Sequence, residues 1–171
     1  MFNKNIKLAL AVLLFITAIW QFTESYIGNG IFLILIALIV ILIYFKNEII
    51  IMAFLKLRKQ DFAGAQKWLN KIKNPEGALV KKQQGYYYYL NGLMVVQTNL
   101  NQAEKYFKKA VELGLSMDAD LALAKLNLAG IAMTKRRKQE ATLLLNEAKK
   151  LDKHNMLKEQ IAQMKEQMKR I

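Results

Sequence analysis

The sequence predicts an all-α protein: a two-helix transmembrane hairpin, then a stack of about three helical hairpins closed by a C-terminal capping helix. Three observations carry this. Up to Phe45 the only charged residues are Lys4, Lys7 and Glu24, while the other 24 basic and 12 acidic residues lie from Lys46 onward. Beyond Phe45 apolar residues recur at helical spacing, one amphipathic segment after another. Within those segments one alanine returns at a fixed interval of 38 residues, at Ala65, Ala103 and Ala141.

The segments that meet lipid come first. Residues 6–22 hold a single charge, Lys7, at their edge. A helix of that length rises about 25 Å, close to a hydrocarbon core of about 30 Å. Lys7 is expected to snorkel, with Trp20, Phe22 and Tyr26 at the far interface. Residues 27–45 are uncharged, and thirteen of the fifteen from Ile31 to Phe45 are Ile, Leu, Val or Phe. At −0.3 to −0.6 kcal/mol each, their insertion is favourable by about 4 to 8 kcal/mol. The first segment has the basic start of a signal peptide, but no small-residue cleavage pattern follows Trp20 and a second span comes at once. Gly28, Asn29 and Gly30 are expected to supply the turn. Lys4 and Lys7 precede the first span, Lys46, Lys56, Arg58 and Lys59 follow the second, and the connection between has no Lys or Arg. The positive-inside rule then expects both termini in the cytoplasm and a multi-pass protein of the inner membrane. Domains are therefore expected at 1–45 and 46–171.

The alanine ruler aligns three stretches, Asp61 to Leu69, Asn99 to Phe107 and Arg137 to Leu145. Four residues after each alanine stands a large apolar side chain, Leu69, Phe107 or Leu145; seven after stand Ile72, Ala110 and Ala148. Spacings of four and seven put these residues on one helical face. In this the chain resembles the tetratricopeptide repeat. Tyr87 and Leu90 stand at A-helix anchor positions of the middle unit, and Leu128 with Ala129 in the third; the first, with Met52 and Ala53, is degenerate. Two features depart from that family. Its usual glycine is Asn91 or Ala129 here, with Gly92 and Gly130 one place later. The period is 38 instead of the family's usual 34 or so.

Units are expected at about 46–79, 84–117 and 122–153. Asn74-Pro75-Glu76-Gly77 breaks the chain after the first, and Gly114 to Asp118 after the second, with Ser116 or Asp118 as a cap for the helix that follows. One hairpin cannot bury its own apolar face, so a stack needs a cap. Residues 155–171 read as that closing helix, with Leu157, Ile161, Met164 and Met168 on one side and Asn155 as its N-cap. With no breaker between Phe45 and Lys59, the second span is expected to run straight into the first A helix.

The resemblance implies a concave face lined by A helices. Projected onto this chain it comprises Ile50, Phe54 and Leu57, then Tyr88, Gly92, Val95 and Val96, then Leu123, Leu126, Gly130 and Met133. That face is largely apolar and suits an amphipathic helix or an extended apolar segment of a partner protein; the competing occupant is the chain's own closing helix. The carboxylate clamp of one chaperone-docking sub-class is missing, because Ile50, Phe54, Tyr89 and Leu123 stand at its positions. The net charge of +13 raises the alternative of RNA, ribosome or anionic-lipid contact. Its candidates are Lys56, Arg58 and Lys59 near the membrane and the run Lys135, Arg136, Arg137 and Lys138. The run Tyr86 to Tyr89 cannot form one stacking platform, since successive helical residues point about 100° apart. It is expected to pack between helices. Without cysteine, with the single histidine His154, and without a phosphate-cradling or nucleophile motif, the chain is expected to be no enzyme and to take no cofactor or metal. The expected role is a membrane-anchored adaptor, accessory to secretion, membrane-protein assembly or quality control.

Overall fold

The computed structural model describes residues 4–45 and 47–170, and every regular element among them is a helix. It divides into two units, residues 1–83 and 84–171. The junction at Lys46 lies outside the described residues.

The first unit opens with α1 (Lys4–Thr23) and α2 (Ile27–Phe45), both long and apolar enough to cross a membrane. They turn on Glu24, Ser25 and Tyr26, not on the expected Gly28-Asn29-Gly30, which lies inside α2. Ser25 takes the left-handed conformation that glycine was expected to supply, and its N–H donates to the Phe22 carbonyl. Gly30 serves a different end: a Cβ there would fall 2.7 Å from the Phe22 ring, so its lack of a side chain lets the helices close. Small residues continue that seam. Ala11 and Ala18 on α1, and Gly30 and Ala37 on α2, are buried at seven-residue spacing, while the large aliphatic side chains point outward.

Contrary to expectation, α2 does not continue into the next helix. Asn47 is extended (φ −64°, ψ 125°), its side-chain oxygen accepts the Ile49 N–H at 3.0 Å, and α3 (Glu48–Arg58) starts after it. A buried Asn that caps a helix breaks the run as firmly as glycine or proline. Two bonds tie this corner together. Glu48 receives the Lys7 ammonium at 3.1 Å, so Lys7 is paired instead of snorkelling alone. Gln83 donates to the Tyr44 carbonyl at 3.1 Å, a side-chain partner near the end of α2. α3 then packs against α4 (Phe62–Leu69), burying Ile49, Ile50, Ala53, Ala65 and Leu69. Asn74-Pro75-Glu76-Gly77 is a single capped turn, α5 (Pro75–Ala78), with the Asn74 side chain accepting the Gly77 N–H.

The unit boundary falls within α6 (Lys81–Val95). The second unit contains most of α6, α7 (Leu100–Leu113), α8 (Asp118–Thr134), α9 (Lys138–Leu151) and α10 (Lys158–Lys169). α8 has Met117 at its N-cap with no side-chain bond, so neither Ser116 nor Asp118 caps it; Asp118 instead pairs with Lys153 at 2.6 Å. The closing helix starts at Lys158, later than expected. Asn155 does not cap it: it lies in a left-handed turn, and the buried Asp152 carboxylate accepts the N–H groups of Met156 and Leu157. Leu157, Ile161 and Met168 are buried with Met164 beside them, against Leu126, Ala129, Met133, Leu145 and Ala148.

Candidate functional site

The ruler alanines Ala65, Ala103 and Ala141 have no exposed surface, nor do Phe107, Leu145, Ala110 and Ala148; Leu69 is 1 % exposed. The turns ahead of them recur as well. Lys59 and Lys135 end their helices with the same geometry (φ −86°, ψ 8° and φ −87°, ψ 8°). Gln60 and Arg136 follow in the left-handed region, at φ 59° and 58°. The N–H groups of Asp61 and Arg137 then reach back to the carbonyls of Lys56 and Ala132. These residues are two ruler periods apart. The middle hairpin turns differently: Thr98 and Asn99 both donate to the Val95 carbonyl, and the Asn99 side chain caps α7.

Between α6 and α7 the packing is aromatic. Tyr89 lies 6.0 Å from Phe107 between ring centroids, and Tyr88 lies 6.2 Å from Tyr106. Tyr86 donates to the Asp120 carboxylate. Burial first, and Asp120 second, raise the Tyr86 phenol far above its ordinary value, so it stays a donor. The tyrosine run is therefore spent inside the unit. So is Gly92, on which a Cβ would meet the Phe107 ring at 2.8 Å. Its approach is to a neighbouring helix and not to a guest.

An open cleft of about 750 Å³ lies between the end of α6, α8 and α10. Val96, Leu100, Leu126, Ile131, Met133 and Met164 give it apolar surface; Asn127, Thr134, Gln160, Gln163, Gln167 and Arg170 give it polar surface. Of the expected concave-face residues, Val96, Leu126, Gly130 and Met133 line this cleft. Tyr88 packs on Tyr106, and Leu123 packs on the core shared by α8, α9 and α10. Val95 is half-buried at the end of α6. Phe54 and Leu57, also half-buried, belong to the first unit. The closing helix thus takes part of the face, covering Leu126 and Met133, and forms one wall of what stays open. Gly130 keeps open space, its nearest neighbour for a Cβ being Met164 at 3.6 Å. The three glutamines stand at i, i+3 and i+7, the spacing of one helical face. Nothing in the sequence singled out that row of α10; the fold sets it along the cleft beside α8.

Two residues of the basic run, Lys135 and Arg137, are engaged inside the protein. Glu104, 9 % exposed, accepts Lys135 at 2.7 Å, Lys108 at 2.7 Å and Arg137 at 2.8 Å. Arg137 also reaches Glu140 at 2.7 Å. Arg137 above all, then Lys108 and Lys135, hold the Glu104 carboxyl far below the ordinary range. Arg136 and Lys138 stay exposed. Lys56 is likewise paired, with Asp61 at 2.9 Å, whereas Arg58 and Lys59 are exposed. The acids engaged in this way are structural: they fasten α7 to the turn between α8 and α9, and α3 to α4.

Compared with models of protein families, with curated proteins and with solved structures, the chain matches none.

Proposed function

We propose that this chain is a membrane-anchored adaptor: α1 and α2 span the inner membrane with both termini in the cytoplasm, and hairpins of the tetratricopeptide kind hold a partner protein there. The recurring turns and the buried alanines support the repeat reading. The observation that carries the function is the cleft between α8 and α10. Its floor is apolar, and its edge bears three amide side chains that each both donate and accept. Such an edge suits the main chain of an extended segment, with the floor taking its apolar side chains. An open volume of about 750 Å³ falls within the range of ligand-holding sites. The electrostatic alternative is weakened by the internal pairing of Lys56, Lys135 and Arg137.

A photo-crosslinking residue placed at Val96 in native membranes tests this, with the same residue at exposed Leu143 of α9 as reference. The expected result is a reproducible adduct with one polypeptide from Val96 only, abolished by Gly130→Trp. Absence of any adduct from Val96, or equal adducts from Leu143, would sink the adaptor reading.

A further inference from the structure

We infer that α3 lies in the headgroup region of the bilayer and buries an apolar stripe there, flanked by cations that favour anionic lipid. This rests on the reading that α1 and α2 span the membrane, and adds to it a third, interfacial element.

Beyond α2, seven large hydrophobic side chains are exposed among the described residues, and four of them fall between residues 51 and 62: Ile51, Met52, Leu55 and Phe62. Ile51 and Leu55 are four residues apart and Met52 and Leu55 three, so they form one stripe along α3, opposite buried Ile49, Ile50 and Ala53. Exposed Arg58 and Lys59 stand seven residues after Ile51 and Met52 and end that stripe in positive charge. A helix with one face on its own protein and an apolar face on solvent needs an occupant for the second.

The position of α3 says which occupant. Glu48 follows Phe45, the last residue of α2, by three residues, which reach at most about 10 Å. Its carboxylate is bonded to Lys7 at 3.1 Å, beside the start of the other span. The first turn of α3 is therefore pinned at the level where both spans leave the hydrocarbon. Interfacial helices sink their apolar face about 5–10 Å below that level. The charge agrees: residues 46–73 hold seven Lys or Arg against two acids, Glu48 and Asp61. Cations beside a membrane surface favour anionic headgroups. A lipid interface covers such a stripe without any further protein.

The chain has no cysteine, so one introduced thiol labels one position. The experiment uses the full chain in nanodiscs of phosphatidylcholine with one quarter phosphatidylglycerol. It carries an environment-sensitive fluorophore on Ile51→Cys or Leu55→Cys, with Ile39→Cys in α2 and Leu143→Cys in α9 as references. The expected result is several-fold quenching at 51 and 55 by spin-labelled lipid, stronger with the spin near the headgroup than deep in the chains, and little by aqueous iodide. Leu143→Cys should respond to iodide alone. Iodide access at 51 and 55 with lipid quenching at 39 would overturn the placement of α3 and leave the spans standing. Shielding of 51 and 55 from both quenchers would mean that protein, such as a second copy, covers the stripe, and would overturn it equally. No lipid quenching at 39 would remove the spans and the inference together.

Discussion

Gly92 and Gly130 occupy equivalent places, one ruler period apart in α6 and α8, yet the same substitution should act on them in opposite directions. Alanine in a helix interior is better than glycine by about 0.8–1 kcal/mol, because glycine loses more backbone freedom on folding. At Gly130 nothing opposes that gain: the new methyl would touch only the tip of Met164 at 3.6 Å, ordinary van der Waals contact. Gly130→Ala should therefore stabilise the second unit by about 1 kcal/mol. At Gly92 the methyl would lie 2.8 Å from a carbon of the Phe107 ring, whose side chain has no exposed surface and nowhere to retreat. Overpacking of this kind costs about 1–3 kcal/mol. Set against the helix gain, Gly92→Ala is expected to lose up to about 2 kcal/mol. A unit of this size shifts its melting midpoint by about 4–8 °C per kcal/mol, so the two variants should separate clearly by circular dichroism in detergent. Phe107→Leu in the Gly92→Ala background should recover part of the loss, a coupling of about 1 kcal/mol between touching residues. Equal rises in midpoint for Gly92→Ala and Gly130→Ala would refute the α6–α7 packing described here, and with it the use of Phe107 as the anchor of the middle hairpin.

Phe107→Ala empties a fully buried site and should cost about 3–5 kcal/mol, seen as a large drop in the urea midpoint. Arg136→Gly relieves a non-glycine residue at φ 58° and should stabilise by about 0.5–1 kcal/mol, read as a higher thermal midpoint. Glu104→Gln keeps the shape of the side chain but removes the charge that three cations share, and should cost about 1–2 kcal/mol near neutral pH, the partners being partly exposed. Because Glu104 is held below its ordinary 4.5, its contribution is complete above that value and lost as pH falls; the gap in urea midpoint between wild type and Glu104→Gln should be flat near neutrality and close in acid.

What the sequence revealed was periodic, and what it concealed was local or long-range. Two apolar stretches and a 38-residue alanine spacing are visible without coordinates because each repeats one choice many times. The break at Asn47 is a single residue between two apolar runs, and with no glycine or proline nearby only the following Glu48 hinted at a helix start. At the hairpin turn, Gly30 drew attention as a turn residue, although a glycine is needed equally where a ring must approach, and Phe22 was that ring. The closing seam of Leu157, Ile161, Met164 and Met168 was legible from spacing alone, whereas its start was misjudged because Asp152 reaches forward to cap it from the preceding helix end. The Glu104 cluster is the extreme case. Its i, i+4 partner Lys108 is apparent on paper, but Lys135 and Arg137 arrive from the turn between α8 and α9, some thirty residues on.

Alanine buried at helix crossings recurs in both parts of the chain, and the physics differs between them. In the second unit Ala103, Ala110, Ala141 and Ala148 hide little apolar area themselves; their value is to let Phe107 and Leu145 be covered completely, and water supplies the driving force. With α1 and α2 in a membrane, as proposed, no such force acts between them, because lipid tails are as apolar as the side chains. There Ala11, Ala18, Gly30 and Ala37 act directly, by bringing two backbones close enough for dispersion to hold them. The large residues accordingly turn inward in one part and outward in the other: Phe107 has no exposed surface, while Ile16, Ile19 and Leu42 are each more than 60 % exposed. Substituting Leu for Ala103 and Leu for Ala18 would therefore disturb the same kind of crossing for different reasons. The first would push apart a core that water holds together, and the second would leave two helices equally content to meet lipid alone.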